Sequence, residues 1–212
     1  TDVSSDAVRV GAGNSFPGLV KDAIELGIPG LPGCPGIPGT VGGVVFMNAG
    51  GRFGSVADGL SEVSFIDEGG TLCRRTIEPG DLGYRTSRFG GCLVTGAVFR
   101  RDPEFTQDAA QALYDEAMAW KRATQPLSAK SAGCIFKNPD DGEGPRSAGR
   151  LIDAAGLKGA QVGGARVSPV HANFIENIGE ATAADVHTLI VRIQRAVHEQ
   201  FGVELELEVR TW

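Results

Sequence analysis

Residues 33–51 read GCPGIPGTVGGVVFMNAGG, with glycines and prolines around a short apolar run and one asparagine. A flexible linker would not carry Val44, Val45, Phe46 and Met47 at its centre, so the stretch reads as an ordered loop with a task. The chemistry such a loop suits is phosphate binding. Glycine lets backbone N–H groups approach an anion closely, and Pro35 and Pro38 fix the path of the chain. A dinucleotide fingerprint needs GxGxxG, and the nearest match, GAGNSF at 11–16, has Phe16 where the third glycine belongs. A Walker-type loop needs GK followed by Ser or Thr, a triplet the chain lacks. Two readings stay open: a nest of N–H groups around a pyrophosphate, with Asn48 orienting nearby backbone, or a tight connection that binds nothing.

Other reactive types are scattered. Cys34, Cys73, Cys92 and Cys134 show no metal-ligand spacing, so no metal site is expected, and a chain this size needs no disulfide framework. Glu204, Glu206 and Glu208 alternate in VELELEV and would share one face of a strand, where a solvated acidic stripe is the plain reading. Arg85 and Arg88 read equally well as surface arginines, and Cys134 as a buried, inert thiol.

The elements that would position these residues follow from periodicity. SFPGLVKDAIELG is expected to be a helix capped by Ser15 and stopped by Gly27, after a strand at Val8–Val10. LSEVSFID, TLCRRTI and CLVTGAVFR read as strands, the first two joined by a turn at Glu68–Gly70. Asp102 followed by Pro103 predicts a helix start, with the helix running to about Arg122. SAKSAGCIFKNP reads as loop, strand and loop, and Ser147–Ala155 as a short helix ended by Gly156. Thr182 and Asp185 form a capping-box pattern ahead of a helix ended by Gly202, and VELELEV is expected to be a strand. The first part is strand-rich and the second mixed α+β.

Composition narrows the function. The chain has 212 residues and a formal charge of −6, against a basic nucleic-acid-binding surface. No apolar run reaches transmembrane length and no signal-peptide pattern occurs, so a reducing cytoplasm is the expected location.

With these segments in view, the chain resembles the UDP-N-acetylenolpyruvoylglucosamine reductase (MurB) family. The match is carried by GIPGTVGG followed by MNAG, GYRTSRF at 83–89, QPLSAKSAGCIFKNP at 125–139, AGRLIDAAGLKG at 149–159, VSPVHANFIENIGEATAADV at 167–186 and LELEV at 205–209. The resemblance implies an α+β chain: the second half of a vanillyl-alcohol-oxidase-type FAD-binding domain over residues 1–102, then a substrate domain over 103–212. It implies an FAD-dependent, NADPH-consuming reduction of the enolpyruvyl ether of a UDP-sugar to a lactyl ether, a step of peptidoglycan precursor synthesis in the cytoplasm. Nucleic acid, membrane and an obligate protein partner are not expected. The family begins with a further FAD-binding lobe to which nothing in residues 1–10 corresponds, so the chain is expected to be a fragment or a truncated form. A related FAD enzyme acting on another substrate, or a non-catalytic UDP-sugar-binding remnant, are the alternatives.

The same resemblance assigns roles. Gly36, Ile37, Pro38, Gly39, Thr40, Gly42, Gly43 and Asn48 would lie along the FAD pyrophosphate. Arg85 would bind the substrate carboxylate, and Glu208 would act as a polarising acid beside it, although many relatives have proline where Leu207 stands. Cys134 occupies the place of a serine proton donor; a thiol, with a reference pKa of about 8.5, is a far better acid than an alcohol. Tyr84, Lys137 and Asn138 would contact substrate. His171 is equally readable as a structural histidine.

Overall fold

The structure, a computed structural model, describes residues 1–140 and 146–210 and divides into two compact units, Thr1–Trp120 and Lys121–Trp212.

The first unit begins with β1 (Asp2–Val3) and β2 (Ala7–Gly11), followed by α1 (Phe16–Leu26). The apolar residues Phe16, Leu19, Val20, Ala23 and Ile24 fall on one face of α1 and are buried. As expected, the Ser15 hydroxyl accepts from the Gly18 N–H, and Gly27 closes the helix at φ 63°. Then come α2 (Val41–Phe46), the short strands β3 (Gly50–Gly51) and β4 (Gly54–Ser55), and the longer β5 (Leu60–Ile66) and β6 (Leu72–Thr76). A small hairpin, β7 (Leu82–Gly83) and β8 (Thr86–Ser87), precedes β9 (Leu93–Arg100) and α3 (Gln107–Thr124). The main sheet is antiparallel in the order β1-β2-β9-β5-β6, with Val10 and Val63 both opposite Ala97. Its buried residues, with those of α1 and α2, form one core that includes Val8, Phe16, Val41, Val45, Val63 and Phe99.

Two expectations need correction here. The VVFM run is not loop: Val41–Phe46 is a single helical turn and a half, despite two glycines of poor helix propensity. Capping decides it, because the Thr40 hydroxyl accepts from the Gly43 N–H. Helix α3 does not start at Asp102. The Asp102 side chain and carbonyl take the N–H groups of Glu104 and Phe105 in a turn, and Thr106 caps the helix through the Ala109 N–H. That turn backs onto Gly27, where an added Cβ would lie 3.1 Å from the Asp102 carbonyl oxygen. The two compact units part within α3. Tyr114 on α3 packs against the first core, and Trp120 meets Phe53 edge-on at 5.9 Å.

The second unit holds β10 (Ser131–Cys134), α4 (Ala148–Ala154), β11 (Gln161–Val162), β12 (Ala165–Val167), β13 (Phe174–Asn177) and α5 (Ala183–Phe201). Its antiparallel sheet runs β10-β13-β12-β11. Leu189, Ile190, Ile193 and Val197 of α5 share a core with Ile152 of α4 and Val167 and Ile175 of the sheet. The capping box at Thr182 and Asp185 is present, with both reciprocal hydrogen bonds. VELELEV differs from its expected strand. Burial alternates through Val203, Glu204, Leu205 and Glu206 but stops at Leu207, and among the described residues it forms only one bridge, Phe136 to Leu207. Glu208 and Val209 both turn their N–H groups toward the Ile135 carbonyl, which breaks the period of two.

Candidate functional site

In the first unit the glycine stretch sorts into two groups by what its backbone does. The N–H groups of Val41, Gly42 and Gly43 are engaged, by the carbonyls of Asn14 and Ala12 and by the Thr40 hydroxyl. Gly42 is small because Ala12 packs on it: an added Cβ would sit 2.8 Å from the Ala12 methyl. Gly36, Ile37, Gly39 and Thr40 are different. Among the described residues their N–H groups donate to no protein acceptor. Gly36 and Gly39 have φ of 69° and 117°, and open space surrounds both Cβ positions. Gly36, Pro38, Gly39 and Thr40 are exposed. This segment can take an anion on bare amides, and it fits the diphosphate of a dinucleotide cofactor in chemistry and in space.

Asn48 follows α2 with φ 41°, a left-handed conformation that asparagine tolerates. Its carboxamide is used at both ends. The Nδ2 group donates to the Gly83 carbonyl at 2.8 Å, and Oδ1 accepts from the Ala57 N–H at 3.2 Å.

Tyr84 and Arg85 form the two-residue loop of the hairpin that Asn48 grips. Tyr84 is exposed. Arg85 has φ 53°, a strained value for a residue with a side chain. Its Nη2 donates to the Gly50 carbonyl at 2.7 Å, and the guanidinium carbon lies 5.1 Å from the Tyr84 ring centre. The Ser87 hydroxyl adds a 2.7 Å bond to the Phe46 carbonyl. Below the hairpin, buried Asp81 receives Arg75 through Nε at 2.9 Å and Nη2 at 3.0 Å, and Arg88 through Nη1 at 2.9 Å. Hydrogen bonding from Arg75 foremost, opposed by burial and reinforced by Arg88, holds the Asp81 carboxyl far below the usual carboxylate range.

In the second unit Cys134 ends β10, Lys137 and Asn138 follow it, and the C-terminal segment with Glu208 pairs with the backbone between them. A register shift between Ser131 and Cys134, with Gly133 at φ 84°, places Cys134 opposite Phe174. Such bulges re-aim a side chain at the end of a strand. Cys134 is a half-buried, reduced thiol. The chain continues through Ile135, whose carbonyl takes the Glu208 N–H at 2.8 Å, to Lys137, whose N–H donates to the Glu206 carbonyl. The Lys137 ammonium is held by Glu206 at 2.6 Å, so its charge is paired with a carboxylate. The Asn138 Oδ1 accepts from the Ala148 N–H and supports the start of α4, beside the Ser147 cap. Glu206 is exposed, whereas Glu208 is half-buried, so the structure separates two glutamates that spacing alone had placed together.

Three contributors were not foreseen. Buried Asn173 acts as a substitute strand partner, accepting from the Phe136 N–H at 3.0 Å and donating to the Phe136 carbonyl at 2.8 Å. It therefore fixes the segment between Cys134 and Lys137. Glu176, also buried, accepts from Arg166 at 2.7 Å; burial raises its pKa, but the bonds from Arg166 and Ser168 outweigh this and leave it lowered. Asp81 is the third. No periodic spacing marks these residues: Asn173 acts on Phe136 far away in sequence, Glu176 on Arg166 of the neighbouring strand, and Asp81 on Arg75 of β6 and Arg88 beyond β8. His171 takes the structural role: Nδ1 accepts from the Asn173 N–H, and the ring meets Phe174 edge-on at 5.0 Å. Burial pushes its pKa below the usual histidine value.

Residues 125–212 match the family described as UDP-N-acetylenolpyruvoylglucosamine reductase, C-terminal domain. A UDP-N-acetylenolpyruvoylglucosamine reductase of Deinococcus radiodurans is 46% identical over 205 residues, covering 96% of this chain and 66% of the relative. A second, from Symbiobacterium thermophilum, is 43% identical and covers 99% of this chain and 67% of its own length. The crystal structure of UDP-N-acetylenolpyruvylglucosamine reductase from Thermus caldophilus superimposes with a TM-score of 0.81 at 41% identity, over 97% of this chain and 72% of that one. The chain thus spans about two thirds of the length of the curated relatives it matches.

Proposed function

The chain belongs to the UDP-N-acetylenolpyruvoylglucosamine reductase family, and on that premise we propose that it carries the substrate-reducing machinery of such an enzyme, consuming NADPH to reduce a UDP-sugar enolpyruvyl ether in peptidoglycan precursor synthesis. The amides of exposed Gly36, Gly39 and Thr40 and of half-buried Ile37 would hold the FAD diphosphate. When bound and reduced, FAD supplies the hydride.

The protein's own work is electrostatic and acid–base. Arg85 presents a planar cation to the substrate carboxylate, and its attraction strengthens as negative charge builds there during reduction. Glu208 would act as a polarising acid. Cys134 gives its thiol proton to the carbon next to the carboxylate. Tyr84, Lys137 and Asn138 line the substrate side. NADPH and a nucleotide-sugar substrate place the reaction in the cytoplasm. Among the described residues no helix is long and apolar enough to cross a membrane.

The observation that most supports this reading is the hydrogen bond from Glu208 to Ile135, the residue after Cys134. It puts the backbones of the proposed acid and proton donor side by side. The test is to saturate the purified chain with FAD, desalt it, and record the flavin absorbance. NADPH oxidation is then followed with and without UDP-N-acetylglucosamine enolpyruvate. Substrate-dependent oxidation with formation of the lactyl ether is expected. A flavin-loaded chain that binds the UDP-sugar without turnover would overturn the reading in favour of a binding remnant.

A further inference from the structure

Residues 46–50 grip the Tyr84–Arg85 hairpin at three points. Asn48 Nδ2 binds the Gly83 carbonyl at 2.8 Å, the Gly50 carbonyl receives the Arg85 guanidinium at 2.7 Å, and the Phe46 carbonyl receives Ser87 at 2.7 Å. Gly83 is the residue that leads into the turn, and Arg85 within it holds a left-handed conformation. Such strain persists only where neighbouring structure over-determines it. The Asn48 bond is well suited to this, since it fixes the peptide immediately before Tyr84. Its other end is held in turn by the Ala57 N–H, so the carboxamide cannot rotate without breaking two bonds. Both ends of the carboxamide are thus oriented by protein partners, which use one N–H donor and one lone pair.

We propose that Asn48 is a positioning residue for Arg85, fixing the Gly83–Tyr84 peptide so that the guanidinium is presented to an anionic substrate, and that it is not a cofactor contact. The inference rests on the proposed role of Arg85 in carboxylate binding. It reassigns Asn48 from the cofactor side, where the resemblance had put it, to the substrate side.

The informative substitution is Asn48→Asp. Aspartate tolerates the left-handed backbone and still accepts from Ala57, but it cannot donate to Gly83 and sets a negative charge against that carbonyl. In the FAD-loaded full chain, KM for the enolpyruvyl substrate should rise about tenfold, the scale of one lost hydrogen bond with an unmatched acceptor. The flavin dissociation constant should stay within about twofold. In an Arg85→Lys background the same change should have a much smaller effect on KM, because the group being positioned is already gone. Loss of flavin affinity with KM unchanged would overturn the proposal.

A second measurement does not depend on turnover. Urea midpoints of Asn48→Asp, Arg85→Gly and the double variant form a cycle. Glycine adopts the left-handed turn without support, so the penalty of Asn48→Asp should shrink markedly in its presence. Additive midpoints would overturn the positioning role even if the parent chain proved inactive. A coupled cycle in a chain without turnover would instead leave Asn48 holding Arg85 and count against the proposed reductase activity.

Discussion

The Glu208 N–H donates to the Ile135 carbonyl at 2.8 Å, and this bond ties the C-terminal segment to the strand that ends in Cys134. The proposed proton donor and the proposed acid, 74 residues apart in sequence, are thereby set on adjacent backbones.

The identity of the donor can be tested directly. Cys134→Ser should retain measurable turnover, and Cys134→Ala should lose about two to four orders of magnitude in product formation, the usual worth of a positioned acid. NADPH oxidation and product analysis check this. The parent enzyme should also lose activity on peroxide treatment, while the serine variant should not. Full turnover by the alanine variant would exclude Cys134 as donor.

Arg85 separates catalysis from stability. Arg85→Gly removes left-handed strain of about 1–3 kcal/mol and also removes a charge-assisted hydrogen bond worth about 1.5–3 kcal/mol. The two nearly offset, so the urea midpoint should barely move. Turnover should fall about 10²- to 10³-fold, the scale of losing one transition-state cation. A large loss of stability would mean that the turn depends on the arginine for its fold.

The glycines should divide in the same way as their environments. Gly42→Ala forces a methyl against Ala12 and should cost about 1–3 kcal/mol in stability. Gly43→Ala meets nothing closer than the Thr40 hydroxyl at 3.7 Å and should stabilise α2 by about 0.5–1 kcal/mol, with flavin affinity unchanged. Gly39→Ala, at φ 117°, should distort the exposed amides and weaken flavin retention. Thermal melts and flavin titrations on the three variants distinguish these outcomes; flavin loss in Gly43→Ala alone would move the diphosphate site onto the helix.

The pH dependence of stability carries a histidine contribution of definite sign. Burial lowers the His171 pKa in the folded chain, so below about pH 6.5 the unfolded state takes up its proton first. Stability from this group is complete above that pH and is lost as pH falls toward the lower folded value. His171→Gln should flatten the stability profile in that interval, measured by urea melts at closely spaced pH. An unchanged slope would assign it elsewhere. Asp81 acts with the same sign in far more acidic solution, since Arg75 and Arg88 keep it ionised there.

Periodic elements were readable from the sequence because their signals are local. Helix α1 shows its apolar face and both caps within thirteen residues, and α5 shows its capping box and closing glycine. Helix α2 was hidden because two glycines argue against a helix, and the Thr40 cap that overrides them is one residue in a loop-like context. The C-terminal segment misled for the opposite reason. Its alternation is real in burial up to Glu206, but hydrogen bonding to Ile135 ends the strand pattern at Glu208. The candidate site chemistry rests on the family resemblance, which singles out Arg85, Cys134 and Glu208. The supporting roles of Asp81 and Asn173 could not be read: Asn173 acts on Phe136 far away in sequence, and Asp81 gathers Arg75 and Arg88 at spacings that together match neither the helix nor the strand period.

The amide segment at 36–40 is braced on both flanks: Pro35 is buried, the Gly39 carbonyl accepts from the Phe16 N–H, and Thr40 bridges to Ser15. Much of its conformational entropy is therefore surrendered during folding, before any ligand arrives. Association at such a site has no ordering step to wait for. Stopped-flow traces of flavin capture should show one phase whose observed rate climbs linearly with ligand concentration and reaches no plateau.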